Sequence, residues 1–226
     1  MSTSLHSDTD ASNAQRLKIT EIFFSLQGEA ATVGWPTVFV RLTGCPLRCV
    51  YCDTAYAFTG GEWMTMDEIV ARVAGYNADY VTVTGGEPLA QANCVSLLTL
   101  LCDEGYNVSL ETSGAIDISK VDTRVSRVVD IKSPASGEQH RNRWENIPLL
   151  TSHDQIKFVV CDRNDYEWAK TIIDQYKLSD ICDVLLSPSF GQLHVKELAE
   201  WILQDRLSVR FQTQLHKMIW GDVPGH

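Results

Sequence analysis

The chain has 226 residues, 44% of them hydrophobic and 21% charged, which is ordinary globular composition and long enough to bury a core without disulfide staples. Nineteen Lys and Arg against 29 Asp and Glu leave a formal charge of -10, which argues against a broad duplex-binding surface and so against nucleic acid as a partner. No apolar run approaches the roughly 18 residues of a membrane span. The opening MSTSLHSDTDASNAQ has neither the basic nor the apolar part of an export signal, so a cytoplasmic protein is expected. There are seven cysteines, and three of them fall between positions 45 and 52; with no export signal, that reads as metal or cofactor ligation rather than a disulfide framework.

Residues 1–15 are rich in Ser, Thr, Asp and Asn and lack periodicity, which predicts a disordered tail carrying a solvated His6, ahead of a single domain over 16–226. LKITEIFFSLQGE alternates apolar and polar residues and reads as a strand. TVGWPTVFVRLTG gives a second strand ending near Thr43, with a turn at Gly34 and Pro36. Beyond the cysteines, MTMDEIVARVA reads as a helix with Thr65 or Asp67 near its cap, and DYVTVTGGEP as a short strand. LAQANCVSLLTLLCDEG is a second helix closed by Gly105. Strands follow at YNVSLETSG and RVVDIKSPASG, then a helical or irregular stretch near 138–150. Strand QIKFVVCD, helix NDYEWAKTIIDQY, strand CDVLLSPSFG, helix HVKELAEWILQ and strand SVRFQTQLHK complete the chain.

Short Val, Ile and Leu-rich strands alternating with helices imply βαβ units. The predicted class is therefore α/β, a partial (βα) barrel of about six parallel strands, with a doubly wound open sheet as the second choice. TGGEP, ETSG, KSPASG, SPSFG and TQLHK each follow a predicted strand. Such ends share one face in a parallel sheet, and ligands bind there.

GCPLRCVYCDTAYAF places Cys45, Cys49 and Cys52 in C-x3-C-x2-C spacing. Structural zinc wants four ligands, and no second paired half-site follows. An electron-carrying cluster also takes four cysteines, so Cys94, Cys102, Cys161 or Cys182 would have to supply the last. None of the four has ligand-like spacing, and small buried residues suit them better. The third reading keeps one iron open to a small molecule.

With Tyr51 just before Cys52, and TGGEP (84–88) at a strand end about thirty residues on, the chain resembles the radical S-adenosylmethionine (SAM) superfamily. SLQGEAATVGWPTVFVRLTGCPLRCVYCDTAYAF, DIKSPASGE, SPSFG and QTQLHKMIWG further resemble one family in it, the 7-carboxy-7-deazaguanine synthases of queuosine and 7-deazapurine biosynthesis. That resemblance implies conversion of 6-carboxy-5,6,7,8-tetrahydropterin with loss of ammonia. It also implies a [4Fe-4S] cluster, SAM and Mg2+ as cofactors, a flavodoxin- or ferredoxin-like electron donor, and a homodimer. A glycyl-radical activase acting on a partner protein, or a non-catalytic Fe–S or zinc module, are the alternatives.

Carried over residue by residue, Cys45, Cys49 and Cys52 would ligate iron and Thr54 would ligate Mg2+. SAM contacts would come from Tyr51, Asp53, Gly85, Gly86 and Glu87, from Lys132, Ser133 and Pro134, and from Ser187, Pro188, Ser189 and Phe190. Some relatives carry Ser-Pro-Lys where this chain has Lys-Ser-Pro. Substrate contacts would come from Leu26, Gln27, Gly28, Arg41, Thr84, Glu111 and His216. Arg41 inside VFVRLTG also stands out by itself, as a charge in an otherwise apolar strand, and suits a carboxylate.

Overall fold

The computed structural model describes residues 15–221, 223 and 225. The tail expected at 1–15, with His6, lies outside them except for Gln15. Nine strands form one sheet in the order β3-β1-β2-β4-β5-β6-β7-β8-β9. β1 (Arg16–Leu26) pairs antiparallel with both β2 (Pro36–Leu42) and β3 (Glu62–Thr65). From β2 onward every pairing is parallel, through β4 (Tyr80–Gly85), β5 (Asn107–Thr112), β6 (Ser126–Asp130), β7 (Gln155–Val160), β8 (Asp183–Pro188) and β9 (Arg210–Phe211). A partial barrel of parallel strands is what the alternation of elements predicts; the antiparallel β1–β3 edge is an addition.

Period-2 alternation gives the sheet its two faces. Val38, Val40 and Leu42 of β2, Val81 and Val83 of β4, and Ile156, Phe158 and Val160 of β7 are buried in one core. Three helices add Ile69 and Val73 from α1 (Met66–Ala74), Leu97, Leu98 and Leu101 from α2 (Cys94–Asp103), and Ile172 and Ile173 from α3 (Arg163–Tyr176). α4 (Val195–Asp205) adds Leu198 and Ile202. Each such side chain contributes roughly 1.5–3 kcal/mol by leaving water. The alternate residues, among them Arg41, Thr84 and Lys157, line a cavity instead. A small second cluster of Ala30, Val128 and Leu185 is buried apart from the main core.

Several boundaries differ from the predicted ones for local reasons. Thr65 is the cap of α1, in a reciprocal capping box with Glu68, but the residues before it are the edge strand β3. Four residues carry too little pattern to announce a strand. α2 starts at Cys94, since Pro88–Ala90 close a 3-10 turn first. No helix joins β5 to β6, and between β6 and β7 the chain makes only 3-10 turns, which suits the irregular reading of 138–150. The largest departure is SVRFQTQLHK. Only Arg210–Phe211 is a strand, and Leu215–Trp220 form the short helix α5.

One buried ion pair pins β6 to the approach of β7. Asp154 accepts from the Arg127 backbone N–H, Nε and Nη2 at 3.0, 2.8 and 2.6 Å, with side chains 7% and 1% exposed. Burial opposes ionisation of Asp154, but Arg127 and the Thr151 N–H hold its carboxyl below the usual range. Asp154→Ala is expected to lower the unfolding free energy by about 3–5 kcal/mol, because it strands a buried guanidinium. The depressed pKa also gives the wild type stability that is complete above about pH 3.9 and fades as pH falls through the folded value. Denaturant melts of both proteins from neutral pH downward check this; a loss under about 1 kcal/mol, the scale of an exposed pair, would contradict it.

Candidate active site

A cavity of about 450 Å³ opens at the C-terminal ends of the parallel strands. Its wall holds Cys45, Cys49 and Cys52, from the loop after β2. That loop is fixed on two sides. Val50 N–H donates to Ser136 O at 3.0 Å, and Arg48 N–H to a Glu138 carboxylate oxygen at 2.6 Å, both in the loop after β6. Arg48 Nη1 donates back to Cys45 O at 2.7 Å, and its guanidinium lies 4.3 Å from the Phe58 ring centre.

The turn after β4 forms the seat. Gly86 N–H donates to Leu42 O at 3.2 Å and Glu87 N–H to Gly44 O at 2.8 Å. A Cβ on Gly86 would stand 2.2 Å from Gly44 O and 2.8 Å from Cys45 Cβ. One on Gly85, where φ is +144°, would stand 2.3 Å from Leu42 O. Both glycines line the cavity, but close backbone approach already demands them.

The cysteines suit an iron–sulfur cluster. Three soft thiols share one wall, with Leu47 N–H donating to Cys45 Sγ at 3.4 Å. Among the described residues, no three His, Cys, Asp or Glu side chains are grouped as a single metal ion needs. Burial pushes the Cys49 thiol up to about 11 and raises Cys45 and Cys52 as well, so iron loading must expel protons. Of the other cysteines, Cys94 and Cys182 are buried and Cys102 and Cys161 partly so.

The expected SAM residues divide. Tyr51, Asp53, Gly85, Gly86, Lys132, Ser187, Pro188, Ser189 and Phe190 line the cavity, and Glu87, Ser133 and Pro134 do not. Glu87 is fully buried; its carboxylate accepts from Leu89 N–H, Thr112 Oγ1, and both Ser113 N–H and Oγ. It fastens the end of β5 to the glycine turn. Ser133 is also fully buried, its hydroxyl within 3.0 Å of Val159 O and of Asp165, while Pro134 is exposed. Thr54 lines the cavity and donates to Asp53 Oδ1 at 2.9 Å.

All seven expected substrate residues line the cavity. Arg41, Thr84 and Glu111 form a row across β2, β4 and β5: Arg41 pairs with Thr84 in register, and Thr84 Oγ1 donates to Glu111 at 3.0 Å. Arg41 Nε donates to Glu21 at 2.7 Å, and its guanidinium lies 5.5 and 5.8 Å from the Phe23 and Tyr56 ring centres. Burial raises the Glu111 pKa against the pull of Lys157. Burial lowers that of His216, leaving a neutral imidazole near pH 7. His216 packs on Gly28 so closely that a Cβ there would stand 2.0 Å from its Nδ1. The Gln27 amide is already engaged, donating to Thr82 at 3.0 Å and accepting from Glu29 N–H at 3.2 Å, so it braces its loop.

Sequence reasoning missed Glu29, Asp130, Lys157 and Lys217 in the cavity, some of which pair with the expected Lys132 and Asp53. Lys157 Nζ lies 3.0 Å from Glu29 and 3.9 Å from Asp130. Lys132 Nζ lies 2.8 Å from Asp130, and Lys217 Nζ lies 2.9 Å from Asp53. Burial would raise the Asp53 pKa, yet Lys217 and Gln214 hold it well below the carboxylate range.

Strand ends that gather three thiols and a glycine turn around one cavity belong to a known class of enzyme, and residues 39–186 match the radical SAM superfamily. The fold agrees with the crystal structure of QueE from Escherichia coli, at a TM-score of 0.76 and 22% identity over 93% of this chain and all (100%) of that one. The 7-carboxy-7-deazaguanine synthase of Chlorobaculum tepidum is 47% identical over 208 residues, 91% of this chain and 94% of that protein. The one from Koribacter versatilis is 43% identical over 90% of this chain and 97% of its own length. The chain therefore belongs to the 7-carboxy-7-deazaguanine synthase family of radical SAM enzymes.

Gly86→Ala is expected to lower iron and acid-labile sulfide per chain several-fold after anaerobic reconstitution. Gly75→Ala, where the nearest atom to the new Cβ is 3.4 Å away, should leave both unchanged. Full loading of Gly86→Ala would show that the loop does not depend on this contact.

Proposed function

We propose that the chain converts 6-carboxy-5,6,7,8-tetrahydropterin to 7-carboxy-7-deazaguanine with loss of ammonia. The observation that carries this is the sharing of one cavity by the cysteine loop and the Arg41–Thr84–Glu111 row. The cluster and SAM, when bound, supply reductive cleavage of the sulfonium and hydrogen abstraction from the substrate.

The chain's own residues bind, orient and exclude water. Cys45, Cys49 and Cys52 would hold the cluster's irons as thiolates. Gly85, Gly86 and the 187–190 loop shape the wall that receives SAM. With its Nε held by Glu21, Arg41 turns its remaining N–H groups to the pterin carboxylate. Glu111 and the neutral His216 accept from or donate to the pterin's amino edge. Thr54 and Asp53 would offer hard oxygens to Mg2+, an ion that takes few protein ligands.

A flavodoxin- or ferredoxin-like protein supplies the electron, and the setting is cytoplasmic; no helix among the described residues is long and apolar enough to cross a membrane. The chain acts as a homodimer, in keeping with the exposure of Phe24, Trp35 and the edge-strand Trp63 at 45%, 55% and 59%.

Anaerobic incubation with SAM, a low-potential reductant and the carboxytetrahydropterin should yield 5′-deoxyadenosine and the deazaguanine together; deoxyadenosine alone would refute the substrate. Cys49→Ala should abolish SAM cleavage, and retained turnover would remove it from the cluster. Thr54→Ala should raise the Mg2+ concentration for half-maximal rate, whereas an unchanged titration would take Thr54 out of the metal site.

A further inference from the structure

Lys132 stands in the position that departs from the Ser-Pro-Lys order, and its surroundings are built. The residue is 8% exposed, and its ammonium lies 2.8 Å from Asp130 Oδ2. Its peptide is held separately: Lys132 N–H donates to Asn142 Oδ1 at 2.8 Å, and Asn142 Nδ2 donates to Lys132 O at 2.9 Å. The backbone is therefore fixed without help from the side chain. Burying an ammonium is costly, and a pair with a near neighbour is a weak reason for it. Lys132 lines the same cavity as the three cysteines, one residue before the loop whose Ser136 and Glu138 fasten Val50 and Arg48.

We propose that the Lys132 ammonium, held by Asp130, sets the reduction potential of the cluster carried by Cys45, Cys49 and Cys52, making it easier to reduce. Reduction adds negative charge to a site that three thiolates already make anionic, and local charge and solvent exposure tune such clusters. A fixed buried cation stabilises the reduced state more than the oxidised one. Lys132 and the three cysteines line one cavity of about 450 Å³, so the ammonium and the cluster would share a small enclosed space. Asp130, with its Oδ2 2.8 Å from Nζ, favours the ammonium over the neutral amine that burial alone would select. Asp130 is the counterweight. It lines the cavity, and its Oδ1 is buried without a hydrogen-bond partner.

The inference rests on the cluster and not on the pterin, so it stands or falls separately from the substrate. The test is a redox titration of the reconstituted holoenzyme without SAM, with the reduced cluster read by electron paramagnetic resonance. At the poise where half the wild-type cluster is reduced, Lys132→Met should lower the reduced-to-oxidised ratio at least tenfold, about 59 mV for a one-electron couple. Lys132→Arg should stay near wild type, and Asp130→Asn should shift the other way. A wild-type potential in Lys132→Met overturns the proposal, and weaker SAM binding with that same potential assigns the lysine to the SAM carboxylate instead. Equal-sign shifts in Lys132→Met and Asp130→Asn also overturn it, since admitted water rather than charge would be the cause. Should Lys132→Met fail to fold, an unshifted Asp130→Asn is decisive against it.

Discussion

The site depends on two backbones that touch. β2 and β4 run parallel, and where they end the chain must diverge into two loops that both reach the cavity. Gly85 and Gly86 let the β4 turn lie directly against Leu42 and Gly44, close enough for Gly86 N–H and Glu87 N–H to donate to them. The cysteine loop thereby starts from a fixed point. Glu87 extends the constraint to the end of β5 through Thr112 and Ser113. Three adjacent strands are thus tied at the same level, and three thiols have a defined starting direction.

The cavity balances its charges, with Arg41, Lys132, Lys157 and Lys217 set against Glu29, Asp53, Glu111 and Asp130. Lys132, Lys157 and Lys217 are each paired with a carboxylate at 2.8–3.0 Å, and their side chains are 11%, 12% and 6% exposed. Desolvation of such pairs is expensive, and apolar residues of similar volume would stabilise the barrel more. The interior therefore holds paired charges at a cost in stability. The core on the other face carries the fold, since the same strands bury Val, Ile and Leu beneath the helices.

That division explains what the sequence discloses. The cysteine spacing, TGGEP and most strands are local signals, and each lies where the pattern puts it. Arg41 is recognisable as a charge at the wrong parity in an apolar strand. Lys157 in QIKFVV and Asp130 in RVVDIK carry the same signal, and parity alone could have found them. Other roles are not local. Glu87 and Gln27 look like free polar side chains of loops, but their partners lie 25, 26 and 55 residues away, so only the fold shows that they are occupied. β3 is too short to announce itself, and α5 hides because its residues continue a strand-like composition.

The last segment closes the structure. After β9, Gln212 accepts from Ala30 N–H at 2.9 Å, and Leu215 N–H donates to Gly28 O at 3.0 Å. Lys217 then spans Asp53 and the Phe190 ring, whose centre is 5.0 Å from Nζ. A stretch of six residues (212–217) therefore joins the first loop of the chain, the cysteine loop and the loop after β8. A helix of this length is marginal alone, and these contacts make it part of the wall. These contacts join residues as far apart in the chain as Gly28 and Leu215, so forming them carries the closure entropy of a long loop. The same segment places His216 against Gly28 and so completes the wall of the cavity.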